Sequence, residues 1–173
     1  MAPALRRLYF IRFGFALVWA VLLFFVAGLG GAALTVLLVI YPLVDSAAVI
    51  WQLRAEGPAQ ASRVPEVINV VVSILAAIAL AAVPPASALA VWGVWALVSG
   101  AVQLVTAILR RSQGGQIPLI ISGAISVLAG FGFAAQGAQG AAISAAVGGY
   151  ALFGGVFFLV AAIRLSVLLR RAS

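Results

Sequence analysis

The cationic residues of this 173-residue chain are ten arginines, and all of them fall toward one set of ends of its long apolar segments. Breaks at 28–31, 54–65, 84–85, 110–116 and 136–140 divide the apolar sequence into six such segments, near 8–28, 31–53, 65–83, 86–110, 117–135 and 141–168. Arg6, Arg7 and Arg12 stand at the start of the first segment, Arg54 and Arg63 between the second and third, and Arg110 and Arg111 between the fourth and fifth. Arg164, Arg170 and Arg171 close the sixth, whereas the turns at 28–31, 84–85 and 136–140 carry no charge. Roughly 20 apolar residues in a helix cross the bilayer core of about 30 Å. The pattern therefore predicts an all-α membrane protein of six transmembrane helices in a single domain, 1–173. By the positive-inside rule both termini face the cytoplasm.

Composition agrees with that class. The chain is 66% hydrophobic and 8% charged with a mean hydropathy of +1.28, against about 25% charged residues in a soluble domain. The net charge of +7 does not point to nucleic acid, because the arginines flank apolar spans and do not interleave with exposed aromatics. The first segment resembles a secretory signal in having Arg6 and Arg7 before an apolar run, but it is long for one and belongs to an internal repeat, so it is read as a retained span. Without cysteine or histidine, thiol chemistry and the common metal-ligand sets have no material, and no cofactor is expected.

The chain aligns with itself at a spacing of roughly 54 residues. Ile68-Asn69-Val70-Val71-Val72-Ser73 falls in register with Ile121-Ser122-Gly123-Ala124-Ile125-Ser126, each preceded by a proline, Pro65 or Pro118, and Ile11-Arg12 follows more loosely. Among the even-numbered helices Tyr41, Trp95 and Tyr150 correspond, followed by Asp45-Ser46, Ser99-Gly100 and Gly154-Gly155. This predicts three tandem helical hairpins, near 8–53, 65–110 and 117–168, related by an approximate threefold axis along the membrane normal. In that register Arg12, Asn69 and Ser122 share one position, and Ala16, Ser73 and Ser126 lie one turn further on.

Two readings of this stripe stand side by side: a polar pocket on the axis, or hydrogen bonds and small residues that let helices pack closely. Asp45 is the acid well inside a span, beside the helix-breaking Pro42, and Arg12 is its expected partner. An acid at such depth costs several kcal/mol unless paired or protonated. A structural ion pair, proton or ion handling, and an interfacial carboxylate are the alternatives. Gly100, Gly123, Gly130, Gly148, Gly149, Gly154 and Gly155 read as helix-packing positions, and Trp51 as an interfacial anchor. Trp19, Trp92 and Trp95 are scattered along the sequence and suggest no cofactor box. Thr35, Gln136 and Gln139 are the main polar candidates in the uncharged half. Arg110-Arg111 and Arg170-Arg171 are expected either to attract anionic headgroups of membrane lipids or to serve orientation alone, with a homo-oligomer as a further option and no nucleic acid.

The stretches Tyr41-Pro42-Leu43-Val44-Asp45, Trp92-Gly93-Val94-Trp95-Ala96-Leu97-Val98-Ser99-Gly100 and Ile121-Ser122-Gly123-Ala124-Ile125-Ser126-Val127-Leu128-Ala129-Gly130 resemble the HdeD-like family of small bacterial membrane proteins, built from a short hydrophobic hairpin repeat. The resemblance extends over all six spans and is least good in the first hairpin. It implies a six-helix inner-membrane protein connected with stress, acid resistance in the founding member, and supplies no catalytic or ligand residues to carry across. Histidine, the side chain suited to sensing mild acid, is missing here. The expected function is thus a non-enzymatic, structural or membrane-stress protein, with small-solute, proton or ion permeation through the Arg12/Asp45 region as the alternative.

Overall fold

A computed structural model describes residues 2–56, 63–113 and 115–171. Six helices long and apolar enough to cross a membrane account for nearly all of them, and no strand occurs among the described residues. They are α1 (Ala2–Val26), α2 (Gly31–Glu56), α3 (Arg63–Ala82), α4 (Ala88–Leu109), α5 (Ile117–Ala138) and α6 (Ala145–Arg171). The chain reverses between α1 and α2 through Gly30 and Gly31, with φ of +65° and +69°, a conformation open to glycine without a Cβ penalty. Pro85 opens a short 3-10 turn before α4, and Pro118 lies in the first turn of α5, where a missing N–H leaves no helical partner unsatisfied.

Helix ends differ from the sequence expectation in an informative way. The first helix begins at Ala2, six residues before the expected start, and α6 runs from Ala145 to Arg171 where 141–168 was expected. Arg6, Arg7, Arg54, Arg63, Arg170 and Arg171 therefore sit on helical turns and not in loops. Arginine is a good helix former, and its long stem lets the charged head reach water from a helix whose backbone is still within the apolar layer. Part of the break expected over 54–65 lies outside the described residues.

Each helix packs on its neighbours in the chain, and α6 returns to α1, closing a ring. The broadest contacts are α4 with α5, α1 with α6 and α2 with α3, while those inside the three sequence hairpins are slighter. Glycines explain the tightest seam. A Cβ on Gly100 would stand 2.6 Å from Cβ of Ser126, and one on Gly123 would stand 2.8 Å from the backbone nitrogen of Leu104. Gly130 abuts the Leu97 backbone in the same way, and Gly93 and Gly137, which sequence reasoning passed over, abut the backbones of Ala134 and Ala90. Close backbone approach of this kind increases van der Waals contact between helices in a solvent as apolar as the side chains. On α6, a Cβ on Gly155 would stand 2.9 Å from that of Ala16. Gly154 differs: nothing lies within 4 Å of its Cβ position. Adjacent helical residues point about 100° apart, so one of the pair faces α1 and the other faces open space. Pro42 is buried within α2, which continues through it.

The centre of the ring is aromatic. Trp19 of α1 stacks on Trp92 of α4 with ring centroids 5.2 Å apart, and Tyr41 and Trp95 pack at steep angles against this pair and each other at 4.6 to 5.6 Å. These tryptophans are scattered only in sequence. Trp19 donates to the carbonyl of Leu37 at 2.7 Å, next to the Leu38 carbonyl whose helical donor Pro42 lacks. Toward the arginine-free end the core continues with Leu23, Leu34, Leu38, Leu80, Leu89 and Val147, all buried.

A polar chamber in the arginine-bearing half

On the arginine side of this aromatic layer lies a chamber of about 100 Å³. Its lining follows the internal register. Arg12, Asn69 and Ser122 line it, as do Tyr41, Trp95 and Tyr150, and Asp45, Ser99 and Gly154. One turn nearer the arginine end, Tyr9, Glu66 and Leu119 line it from the odd-numbered helices, and Val49, Gln103 and Phe158 from the even-numbered ones. Residues three or four apart on a helix share a face, so each helix contributes one inward stripe.

Two ion pairs stand in this chamber at different depths. In the deeper one, Arg12 Nη2 donates to Asp45 Oδ1, and the guanidinium carbon lies 4.2 Å from the Phe158 ring centroid on α6. The other carboxylate oxygen of Asp45 accepts from Asn69 Nδ2 at 2.7 Å and from Ser73 Oγ at 3.1 Å, and Trp95 Nε1 donates to Ser73 Oγ at 3.0 Å. One acid thereby joins α1, α2, α3 and α4. Both oxygens of Asp45 thus have donors.

The second pair, Arg110 with Glu66, ties the end of α4 to the start of α3, and Gln52 Nε2 of α2 donates to Glu66 Oε1 at 3.1 Å. Its side chains are 2% and 3% exposed, against 17% and 9% for Arg12 and Asp45. Sequence reasoning missed Glu66 and Gln52, and left Arg110 to lipid headgroups or to orientation alone. Arg110 is buried against Glu66. The signal available was position: Glu66 is three residues before Asn69, one turn away on the same face.

The six residues singled out from sequence are thus brought together. Arg12, Asp45, Asn69, Ser122 and Ser126 line the chamber, and Ser73 joins it through Asp45. Ser126 accepts a hydrogen bond from Tyr150 at 3.2 Å. Four buried polar atoms on residues that line the chamber have no hydrogen-bond partner: Glu66 Oε2, Asn69 Oδ1, Ser99 Oγ and Thr106 Oγ1. Buried polar groups are satisfied in the great majority of cases, so this chamber has hydrogen-bonding capacity in reserve. Thr35 and Gln136 spend theirs on carbonyls of their own helices, Gly31 and Gly132, and Gln139 is exposed. Trp51 is 40% exposed, in keeping with an anchor. No group of three or more potential metal-ligating side chains occurs among the described residues.

Six apolar helices around a polar interior define a multi-pass membrane protein. Residues 68–135, from α3 through α4 into α5, match the family model described as a short repeat of unknown function (DUF308). No curated protein and no solved structure matches the chain. The matched stretch contains Gly93, Gly100, Gly123 and Gly130 of the α4–α5 seam together with Asn69, Ser73, Trp95, Ser99, Ser122 and Ser126.

Proposed function

We propose that the chain is a non-enzymatic inner-membrane protein of the HdeD-like type, with both termini cytoplasmic, whose helices hold a blind polar receptacle on the cytoplasmic side. The observation that carries this reading is closure at two levels. Trp19, Tyr41, Trp92 and Trp95 fill the ring on one side of the chamber, and the buried Gln52, Glu66 and Arg110 cluster stands on the other. Such a shape suits a small polar guest held in place better than one conducted through. Orientation rests on the one-sided arginines, and the link to membrane stress on the family resemblance. Asp45 and Glu66 are each held by a guanidinium group, so both serve contacts between helices. Anionic headgroups at the outward-facing arginines, such as Arg111 and Arg171, and self-association remain part of this proposal.

Permeation is the second reading, favoured by the unpartnered oxygens along the arginine-side half. Flux of protons, potassium and glycerol in proteoliposomes tests the choice. A receptacle gives background flux for the native protein and for Asp45→Asn alike, whereas native flux that Asp45→Asn abolishes overturns it.

A further inference from the structure

The ring is least tightly sealed at two seams, and one of them bears on what reaches the chamber. Between α5 and α6 runs a second cavity of about 270 Å³, and Ser122, Ser126, Tyr150 and Gly154 line both it and the chamber. Its remaining walls are apolar, among them Ile125, Ala129, Phe153 and Phe157. Phe153 is 55% exposed on the membrane-facing surface and packs edge-on to Phe157 at 5.3 Å. Gly149 and Gly154 have nothing within 4 Å of their Cβ positions, so the α6 wall stands open where α4–α5 is closed backbone to backbone. The Tyr150–Ser126 hydrogen bond lies on the boundary between the two cavities.

We infer that the α5–α6 cleft is a lateral portal for a neutral, hydroxylated single-chain amphiphile, its hydrocarbon chain in the cleft and its head in the polar chamber. This rests on the receptacle reading and names its ligand class and route of entry. A cleft of about 270 Å³ is room for roughly nine groups the size of water, a stretch of one hydrocarbon chain. Charge selects the head. The four ionic side chains of the chamber, Arg12, Asp45, Glu66 and Arg110, are paired with one another, so an ionic head would enter a low-dielectric site without a counter-charge. Hydroxyl groups fit instead, because Glu66 Oε2 and Asn69 Oδ1 are acceptors in need of donors, on residues only 2% and 6% exposed. Ser99 and Thr106 are able to give or take.

The test uses the full-length protein in lipid nanodiscs containing a trace of monoacylglycerol with a diazirine in its chain. Irradiation is expected to label α5 and α6 about tenfold more than the lipid-facing side of α3, an enrichment equal to one decade of affinity. Unlabelled monoacylglycerol suppresses that enrichment, and a fatty acid or phosphatidylglycerol at the same mole fraction does not. Gly154→Leu, which fills the cleft from a position with space for it, removes the enrichment, and Gly149→Leu serves as the second variant should the first not fold. Uniform labelling, labelling unchanged in the folded filled variant, or equal competition by the charged lipids overturns the portal. Glycerol alone separates the two readings: if it changes tryptophan emission while labelling is uniform, the receptacle stands without the portal. If neither glycerol nor monoacylglycerol engages the protein, both fall.

Discussion

The two ion pairs resemble one another in composition and differ in how completely they are satisfied. Asp45 accepts on both oxygens, from Arg12, Asn69 and Ser73, and its arginine is partly exposed and rests against Phe158. Glu66 is more deeply buried, accepts on one oxygen from Arg110 and Gln52, and keeps the other unpartnered. A saturated acid holds helices in place. A buried acid with an unpartnered oxygen has something left to bind, which is why the Glu66 tier, and not the more conspicuous Asp45, is the better position from which to read ligand chemistry.

Three substitutions probe that contrast. Arg110→Ala strands a buried carboxylate and is expected to cost about 3–5 kcal/mol, read as a fall in the midpoint of thermal or detergent-induced unfolding; a loss as small as that of an exposed pair would mean the two tiers do not differ. Asp45→Asn keeps an oxygen for Ser73 and removes the charge facing a partly solvated arginine. Its expected cost is about 1–2 kcal/mol, and a loss exceeding that of Arg110→Ala would reverse the ranking. Thr106→Val replaces an unpartnered buried hydroxyl by a methyl of similar shape, so stability is expected to hold or rise by up to about 1 kcal/mol. A clear loss would show that Thr106 Oγ1 has a partner in the membrane.

The contrast also explains which residues sequence reasoning reaches. Asp45 and Arg12 stand out because a charge in the middle of an apolar run has no bland explanation, and Asn69, Ser73, Ser122 and Ser126 because the repeat puts them in register with it. Arg110 stands at the end of a span, where a topological arginine is expected, and nothing in one dimension distinguishes it from its exposed neighbour Arg111. Its burial depends on the start of α3 and the end of α4 lying together. The aromatic layer is hidden for a related reason: Trp19 and Trp92 meet across a ring whose closure by α6 against α1 is a tertiary fact. Helix number is legible because bilayer thickness acts on each segment separately. Gly154 and Gly155 mark the limit, since composition alone assigns both to packing and only helical phase separates them.

Ring closure also sets an order on biogenesis. The first and last helices share one of the broad seams, and Arg12 of α1 rests on Phe158 of α6. During synthesis the first five spans leave one flank of the polar interior facing lipid, with a guanidinium among the groups on it. The packing of α6 on α1 covers that flank and completes the ring.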